Sequence, residues 1–592
     1  MMTRFGGRTR AAALLLFATP LVAQRSDRRV LDREAIARAG WHRLGDLASA
    51  LPPGSAASIE GFNYELRGSR VGFFQTNGVN ASWIVRLDGQ LVPMQVAGVW
   101  ILDEIPVAIT QLDSIVIAEG PQLSDGRPAL LGTIDLYTRR VRSVSIVADY
   151  QHGDETGDPG PYRYTSRSTP NVEKLGPFAS GAAAVGNSMA AVDVAARYSS
   201  LNITDPRITA RLGSSFPGYQ SDANASGGSG VATIDMFGGS TYLVGGRGRF
   251  TGFFPTAAPG INQQARIVAS HAGISGSVGP LEKRWRYAAS GTALDVDPLG
   301  AVPMTTPQSQ RLLVDGFVEG AVTTRWRAGI GGTHGRYESP ALDRSSSSTR
   351  AWLGYSRSSE IAAVALERSA GRFRHSGSAR LERVVNDSDR VAASITHLNA
   401  WRFGDFDWMD RAASDSSGTS AVDLRAELAT RSIANVRPTW YTRAFSFSGI
   451  GTNPIRGVAI GVVANSPLLA AVGARLRAEI SQLLGEAGTG ESSTPGGYVE
   501  GDVSARTSGG FLLGLSARYA PRAHWTGSIE DVPATRRIDF SVNKTMWRDR
   551  LRAQLVTRNL LNANERTHPD GAQWNLRSHL AVTIVLPSGA GR

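Results

Sequence analysis

Apolar and polar residues alternate one by one over most of the chain beyond about Ser143. In "RRIDFSVNK" Ile538, Phe540 and Val542 share one side of an extended strand, and Arg537, Asp539, Ser541 and Asn543 share the other. "LRAQLVTRN" sets Leu551, Ala553 and Leu555 against Arg552, Gln554 and Val556, and "NLRSHLAVTIVLP" repeats the habit near the end. Period two predicts strands with two unlike faces. Tight breaks such as "MWRDR" alternate with long segments rich in Gly, Pro, Ser and Asp at 151–177, 205–229 and 405–420, which read as short turns and long loops. A soluble sandwich needs large aliphatic residues on its inner faces, whereas here one face of each strand carries Arg, Asp, Ser or Asn. Closure into a barrel in a bilayer demands this one-sided polarity, with lipid outside and water or a filling domain inside. Roughly 20 residues per strand and connection gives about 22 strands, and so wide a barrel encloses a channel unless something occupies it.

One uncharged stretch, "GVAIGVVANSPLLAAVGA" at 457–474, competes with this reading, because a helix could start after Asn465-Ser466-Pro467 and run to Leu484. The following "RLRAEISQLL" opposes Leu476, Ala478 and Ile480 to Arg475, Arg477, Glu479 and Ser481, again period two. Two strands joined at Asn465-Ser466-Pro467 are expected.

The texture before Ser143 differs. "VLDREAIARAGWHRLGDLASALPP" predicts a short helical region with Leu44, Leu47, Ala48 and Leu51 on one face and Pro52 as its stop. "SWIVRLDGQLV" is a strand that closes at Asp88-Gly89, and "GTIDLYTRR" ends the segment as another. Between them "ILDEIPVAITQLDSIVIAEGPQ" places a turn or short helix at Pro106 before a strand on which Ser114, Val116 and Ala118 oppose Ile115, Ile117 and Glu119. Gly120-Pro121 stops it, since proline cannot donate to a ladder. A small mixed α/β domain of ~100 residues is the direct reading.

Composition narrows the setting. The chain has 592 residues, 66 of them glycine, and 42% hydrophobic residues, too apolar for disorder. The absence of cysteine removes thiolate metal sites, disulfides and cysteine nucleophiles. The net charge of +12 rests on arginine, since Lys174, Lys283 and Lys544 are the only lysines. These arginines are scattered and form no basic block, so no nucleic-acid partner is expected; a polar barrel interior and anionic headgroups are their expected surroundings. "MMTRFGGRTRAAALLLFATPLVAQ" has a basic start, ~13 apolar residues where a membrane span needs ~20, and Ala23 as the cleavage residue, so 1–23 is read as a secretory signal peptide.

Six short motifs now stand in order: "LGDLASALP" with Leu47 to Pro52, Arg67-Gly68, Leu87-Asp88-Gly89, Ile105-Pro106-Val107, Gly120-Pro121 and "TIDLYTR" from Thr133 to Arg139. In order and spacing they resemble the plug domain of the TonB-dependent outer-membrane receptors, over about 100 residues. The resemblance implies an all-β membrane protein: a large antiparallel transmembrane β-barrel of about 22 strands with a small N-terminal α/β plug in its lumen. It divides the chain into a signal peptide at 1–23, a plug with a short N-terminal tail at 24–142, and a barrel with long extracellular loops at 143–592. In physical terms Gly68, Gly89 and Gly120 end strands tightly, and Asp88 accepts from amides of its own turn. Arg67, Gly68, Asp88, Gly89, Pro106, Glu119, Gly120 and Pro121 are therefore structural residues of the plug. Three departures stand out. "QLSDGRPALLG" replaces a longer family segment. "LPSGAGR" follows the last strand in place of a terminal aromatic, leaving Val585 and Leu586 for assembly. Glu119 occupies the usual place of an arginine, where a reversed charge would repel the acidic barrel partner of such an arginine.

Signs of chemistry are sparse. No Gly-Lys dipeptide, His-Glu-x-x-His pair or Gly-x-Ser-x-Gly elbow occurs, so neither a P-loop, a zinc centre nor a hydrolase nucleophile is expected. Ser541 to Lys544 fits Ser-x-x-Lys in letters but alternates as a strand, and Asp103 and Glu104, adjacent in sequence, read as a solvated pair. Trp401, Phe403, Phe406 and Trp408 read as an interfacial girdle. The expected function is binding and gated uptake of a scarce or bulky ligand, without catalysis or cofactor, in the outer membrane of a Gram-negative-type bacterium. Outer-membrane lipid and the TonB energising complex are the expected partners. Siderophore, cobalamin, glycan and peptide all remain open as ligand, and no ligand-binding residue is specified. The alternative is a plugged barrel without transport that serves adhesion or envelope organisation. For coupling, only "QRSDRR" separates Ala23 from the plug-like "VLDREAI", so either "RRVLD" serves as a minimal strand-forming box or coupling is absent and opening is passive.

Overall fold

A computed structural model describes residues 27–587, except 54, 59–62, 67–82, 97–98, 142–143, 156–170, 205–219, 256–261, 281–283, 300–307, 341, 358, 370–371, 387–388, 402–417, 431–435, 449–454, 470, 485–495, 524–531, 548–549, 564, 566 and 568–575. The signal-peptide reading, Arg67, Gly68, Phe403, Phe406 and Trp408 lie outside the described residues.

The N-terminal region begins with strand β1 (Arg28–Asp32), after which Asp32 accepts from the Ala35 amide at 2.7 Å and so caps helix α1 (Arg33–Arg38). The expected helical region continues as a separate 3₁₀ turn over Leu44–Ala50, with Leu44 and Leu47 buried. Short strands follow: β2 (Ala56–Ala57), β3 (Asn63–Leu66), β4 (Trp83–Leu87), β5 (Gln90–Leu91), β6 (Gln95–Val96) and β7 (Val99–Ile101). Two 3₁₀ turns, Leu102–Glu104 and Ile109–Gln111, flank Pro106 and lead into β8 (Leu112–Glu119); β9 (Gln122–Ser124), β10 (Arg127–Ala129) and β11 (Gly132–Thr138) complete the region. The main sheet has the order β1-β8-β11-β4-β5, with β11 parallel to β4 and antiparallel to β8. Ile134 pairs with Ile117 on one side and Val85 on the other, and all three are 0% exposed. Each such side chain stabilises the sheet by about 1.5–3 kcal/mol through burial.

From β12 (Ser145–Glu155) to β33 (Arg577–Pro587) the chain forms one closed barrel of 22 antiparallel strands, each paired with its sequence neighbours. β12 and β33 close it from Ser145↔Pro587 to Glu155↔Arg577. Closure leaves no unpaired backbone edge, which is what a bilayer requires. Side chains alternate as the pattern predicts: on β28 (Val472–Leu484) Leu476 and Ile480 are exposed, while Arg477 and Glu479 between them are 2% exposed. Connections at one end, such as 187–189, 237–238 and 470–471, are short, whereas those at the other include 156–170, 402–417 and 559–576. β27 (Ile455–Leu469) runs straight through Asn465-Ser466-Pro467, and the turn falls between the paired Leu469 and Val472. The expected break is thus a few residues early. Pro467 is accommodated where the register shifts at the strand's end, so its missing N–H breaks no central ladder.

The N-terminal region fills the barrel lumen. Its hydrophobic core is continuous with inward residues of the wall, including Phe178, Phe250, Ile267, Leu294 and Phe445. Among the described residues, no strand of this region joins the barrel's hydrogen-bond ladder.

Candidate functional site between the plug and the barrel wall

Because the two sheets stay separate, side chains hold the plug in place, and they divide into stations around the wall. At the short-turn end, β4 and β5 meet at Asp88-Gly89, both with positive φ (50° and 89°). The Asp88 carboxylate does not close its own turn, contrary to expectation. It accepts from the backbone N–H and the hydroxyl of Thr138 at 2.9 and 2.7 Å, tying the hairpin to the end of β11. Burial pushes the Asp88 carboxyl up to about 6, against the two Thr138 bonds that favour its charged form. The same turn is fixed to β17 (Asn262–Val278), where Ser275 donates to the Asp88 carbonyl at 2.6 Å and receives from Gln90 at 3.2 Å.

A second station carries Glu119, Gly120 and Pro121. Glu119 is buried and accepts two bonds from Arg477 of β28, at 2.6 and 2.8 Å. The expected repulsion does not arise, because the barrel presents a cation here. Arg477 also lies 5.3 Å over the Tyr498 ring, and Tyr441 donates to Glu479 beside it at 2.5 Å. Gly120 has φ +87°, and a side chain there would meet the guanidinium of Arg443 at 2.5 Å. Arg443 is itself paired with Asp423. The Glu119 amide donates to the Asp27 carbonyl and the Gly120 amide to Leu131, which couples this corner to the start of β1.

At a third station, the pair read as solvated is buried, with Asp103 2% and Glu104 1% exposed. Asp103 accepts from Arg43 at 3.0 Å and from the Gly45 amide at 2.9 Å. Glu104 points the other way, against Gly248 of the wall, and among the described residues neither of its oxygens receives a hydrogen bond. Burial pushes its carboxyl up to about 8, with Arg197 opposing and Asp103 reinforcing the shift. Adjacency in sequence made the two side chains diverge as expected; the filled lumen then removed the water from both. Asp46 next to them accepts from Arg558 at 3.0 Å and from the His42 amide at 3.0 Å. Burial opposes its charge, yet Arg558, Arg43 and that amide hold its carboxyl below the usual range. Pro106 packs on Gly246, two residues before Gly248 on the same wall strand, and a Cβ added at Gly246 would come within 2.6 Å of the proline.

Sequence reading missed a fourth station. "QLSDGRPALLG" folds as the hairpin β9–β10 with Asp125-Gly126 at its turn. Asp125 pairs with Arg86, Arg127 pairs with Asp315 of the wall, and Arg350 joins Asp315 at 2.9 Å. The Asp-Gly dipeptide was its available signal. Ser541 and Lys544 have separate partners: Ser541 donates to the Arg38 carbonyl and Lys544 to that of Gly509. The structure brings Glu119, Gly120 and Pro121 together at the wall, sets Asp88 and Gly89 at a separate station, and places Pro106 beside Glu104 against β16 (Gly239–Pro255). Among the described residues no group of three or more metal-ligating side chains occurs.

A scan against protein-family models finds no match, and a search of curated proteins finds none either. Solved structures do resemble the chain. A mutant of the ferric enterobactin receptor PfeA of Pseudomonas aeruginosa superposes with a TM-score of 0.74 at 8% identity, covering 95% of this chain and 98% of that one. The siderophore receptor PirA of Acinetobacter baumannii gives 0.72 at 9%, covering 96% and 99%. The FrpB iron transporter of Neisseria meningitidis gives 0.72 at 9%, covering 95% and 99%. The similarity runs over nearly the whole of both chains in each case, so that this chain has the fold of the TonB-dependent siderophore and iron receptors, a closed 22-stranded barrel around a folded N-terminal region.

Proposed function

We propose that the protein is an outer-membrane receptor of a Gram-negative-type bacterium that binds a scarce or bulky ligand at its long-loop face and admits it by movement of the plug. One observation carries this reading: the plug fills the lumen yet shares no backbone ladder with the wall among the described residues, so it is held by side-chain stations that can release without unfolding the barrel. A permanent stopper has no need of that separation. On this reading residues 1–23 are removed on export, 24–142 form the plug and 143–592 the barrel, and Arg67, Gly68, Asp88, Gly89, Pro106, Gly120 and Pro121 shape the plug. The outward aliphatic band, with Val192, Ile330, Ile480 and Leu580 exposed, supplies the lipid-facing surface. The neighbours named for enterobactin, siderophores and iron favour a ligand of that class over cobalamin, glycan or peptide. Traction from a TonB energising complex is the expected drive. "RRVLD" is no free box, since all five of its residues pair with β8 from Arg28↔Ala118 to Asp32↔Ser114, so it must first leave β8 to engage that partner, or opening is passive.

The test compares the intact protein with one lacking residues 30–142 in planar bilayers. The intact protein should be nearly silent and the deletion a large pore, since about 22 strands enclose an aqueous bore. Equal conductance would place the segment outside the lumen and end the gating reading. A silent intact protein whose deletion strain loses no growth on any limiting iron source would favour the adhesive or organising alternative.

A further inference from the structure

Two cavities lie between the plug and one sector of the wall. The larger, about 480 Å³, runs beside β1 and α1 from Ser466, Gly473 and Ser504 near the short-turn end. The smaller, about 120 Å³, reaches Thr535, Thr567 and Arg577 toward the long-loop end. They meet at Ser49, Arg518, Arg537 and Arg558, which line both. On β31 (Thr535–Met546) the lining extends from Thr535 to Ser541, ~20 Å of strand. They lie along one sector of the wall on either side of these shared residues.

Their charge is one-sided. Eight arginines and four carboxylates line them. Most of the arginines are engaged: Arg537 with Asp539 at 2.7 Å, Arg558 with Asp46 at 3.0 Å, and Arg29 with Asp502 at 3.2 Å. Arg518 differs. It lies half-buried on β30 (Phe511–Ala520) at the junction, cross-strand from the buried Glu500 and in electrostatic reach of it, but among the described residues it makes no hydrogen bond or ion pair. A guanidinium presents its donors as a planar fork that matches an oxyanion, and a low-dielectric wall concentrates the field of the surplus cations on whatever enters. Solvated arginines alone would serve a polar lumen, but they would not need to outnumber the acids at the point where two cavities join.

We propose that the two cavities form one binding site for oxyanions of phosphate or carboxylate type, closed to through-flow while the plug is latched, with Arg518 as the binding residue at their junction. It deepens the uptake reading by naming the chemistry of what binds, and rests on that reading only for the direction of travel once the plug moves.

Equilibrium dialysis of the folded, detergent-solubilised protein against labelled inorganic phosphate tests the site without requiring transport. The wild type should bind phosphate saturably. Arg518→Gln should weaken binding at least tenfold and Arg518→Lys should retain part of it, while the unheated gel mobility of both variants stays that of the closed barrel. Citrate should compete and choline should not. Absence of saturable binding, or an unchanged affinity in Arg518→Gln, overturns the proposal, as does competition by choline equal to that by citrate. Phosphate binding that persists in a protein whose plug deletion opens no pore would sink the uptake reading and leave this site standing.

Discussion

Removing one partner of the Glu119–Arg477 pair should unlatch the plug without disturbing the barrel. Both side chains are buried, 8% and 3% exposed, and the two bonds of 2.6 and 2.8 Å are charge-assisted and bidentate. Glu119→Gln leaves the Arg477 cation in place between Tyr498 and Tyr441 with no anion on the plug side. An uncompensated buried charge costs about 3–5 kcal/mol, and each ~1.4 kcal/mol is a factor of ten, so the opened state of β8 should become roughly a hundredfold more populated at the low end. Amide hydrogen exchange read by mass spectrometry on peptides covering β8 and β11 reports that opening directly. Arg477→Gln should give a similar gain. The double substitution should fall well short of the sum, because the second change removes the orphaned charge that the first creates. Barrel amides, on β16 (Gly239–Pro255) for example, should exchange as in the wild type. Exchange of β8 within threefold of wild type in either single variant, or additive effects in the double, would refute the latch.

Glu104 should give the plug a pH dependence. Its carboxyl sits at about 8 in the folded protein and near 4.5 when unfolded, so the native state retains a proton that the unfolded chain releases, and plug stability should be full below the lower value and fall as pH rises toward the upper. Glu104→Gln should flatten that decline in β11 exchange corrected for intrinsic rates; an unchanged slope would mean the group is solvated. Gly89→Ala and Gly120→Ala share a positive-φ backbone, but an added Cβ meets nothing within 4 Å at Gly89 and the Arg443 guanidinium at 2.5 Å at Gly120. The first should cost about 1 kcal/mol and the second measurably more by the same exchange assay, and equal costs would show that Arg443 moves aside freely.

The barrel was legible because a closed membrane sheet writes its inside and outside into every strand, so Arg477 and Glu479 against Leu476 and Ile480 already showed the wall's two faces. Local signals placed β4, β8 and β11 for the same reason: Asp88-Gly89 and Gly120-Pro121 act on the chain within a few residues of themselves. The stations were not legible. Glu119 and Arg477 are 358 residues apart, and only closure of the sheet decides which wall residue faces the plug corner. Charge at one position therefore predicted repulsion where the partner had changed sign as well. Asp103 and Glu104 looked solvated because nothing within a few residues says that a lumen is full. The late turn after Asn465-Ser466-Pro467 has a simpler cause, since a proline is tolerated near a strand's end, where few ladder bonds remain to be lost.

The antiparallel register of β1 on β8 also sets how the plug answers a mechanical load. β1 runs from the latch corner toward the short-turn end, and its first pair, Arg28↔Ala118, adjoins Glu119. A pull toward the short-turn side on the chain before Asp27 must double back along β1. It then loads the five pairs one after another, from Arg28↔Ala118 to Asp32↔Ser114, rather than all at once. Peeling of that kind yields at far lower force than sliding two strands lengthwise, and the first bond it strains is the Glu119 amide to Asp27, next to the latch itself.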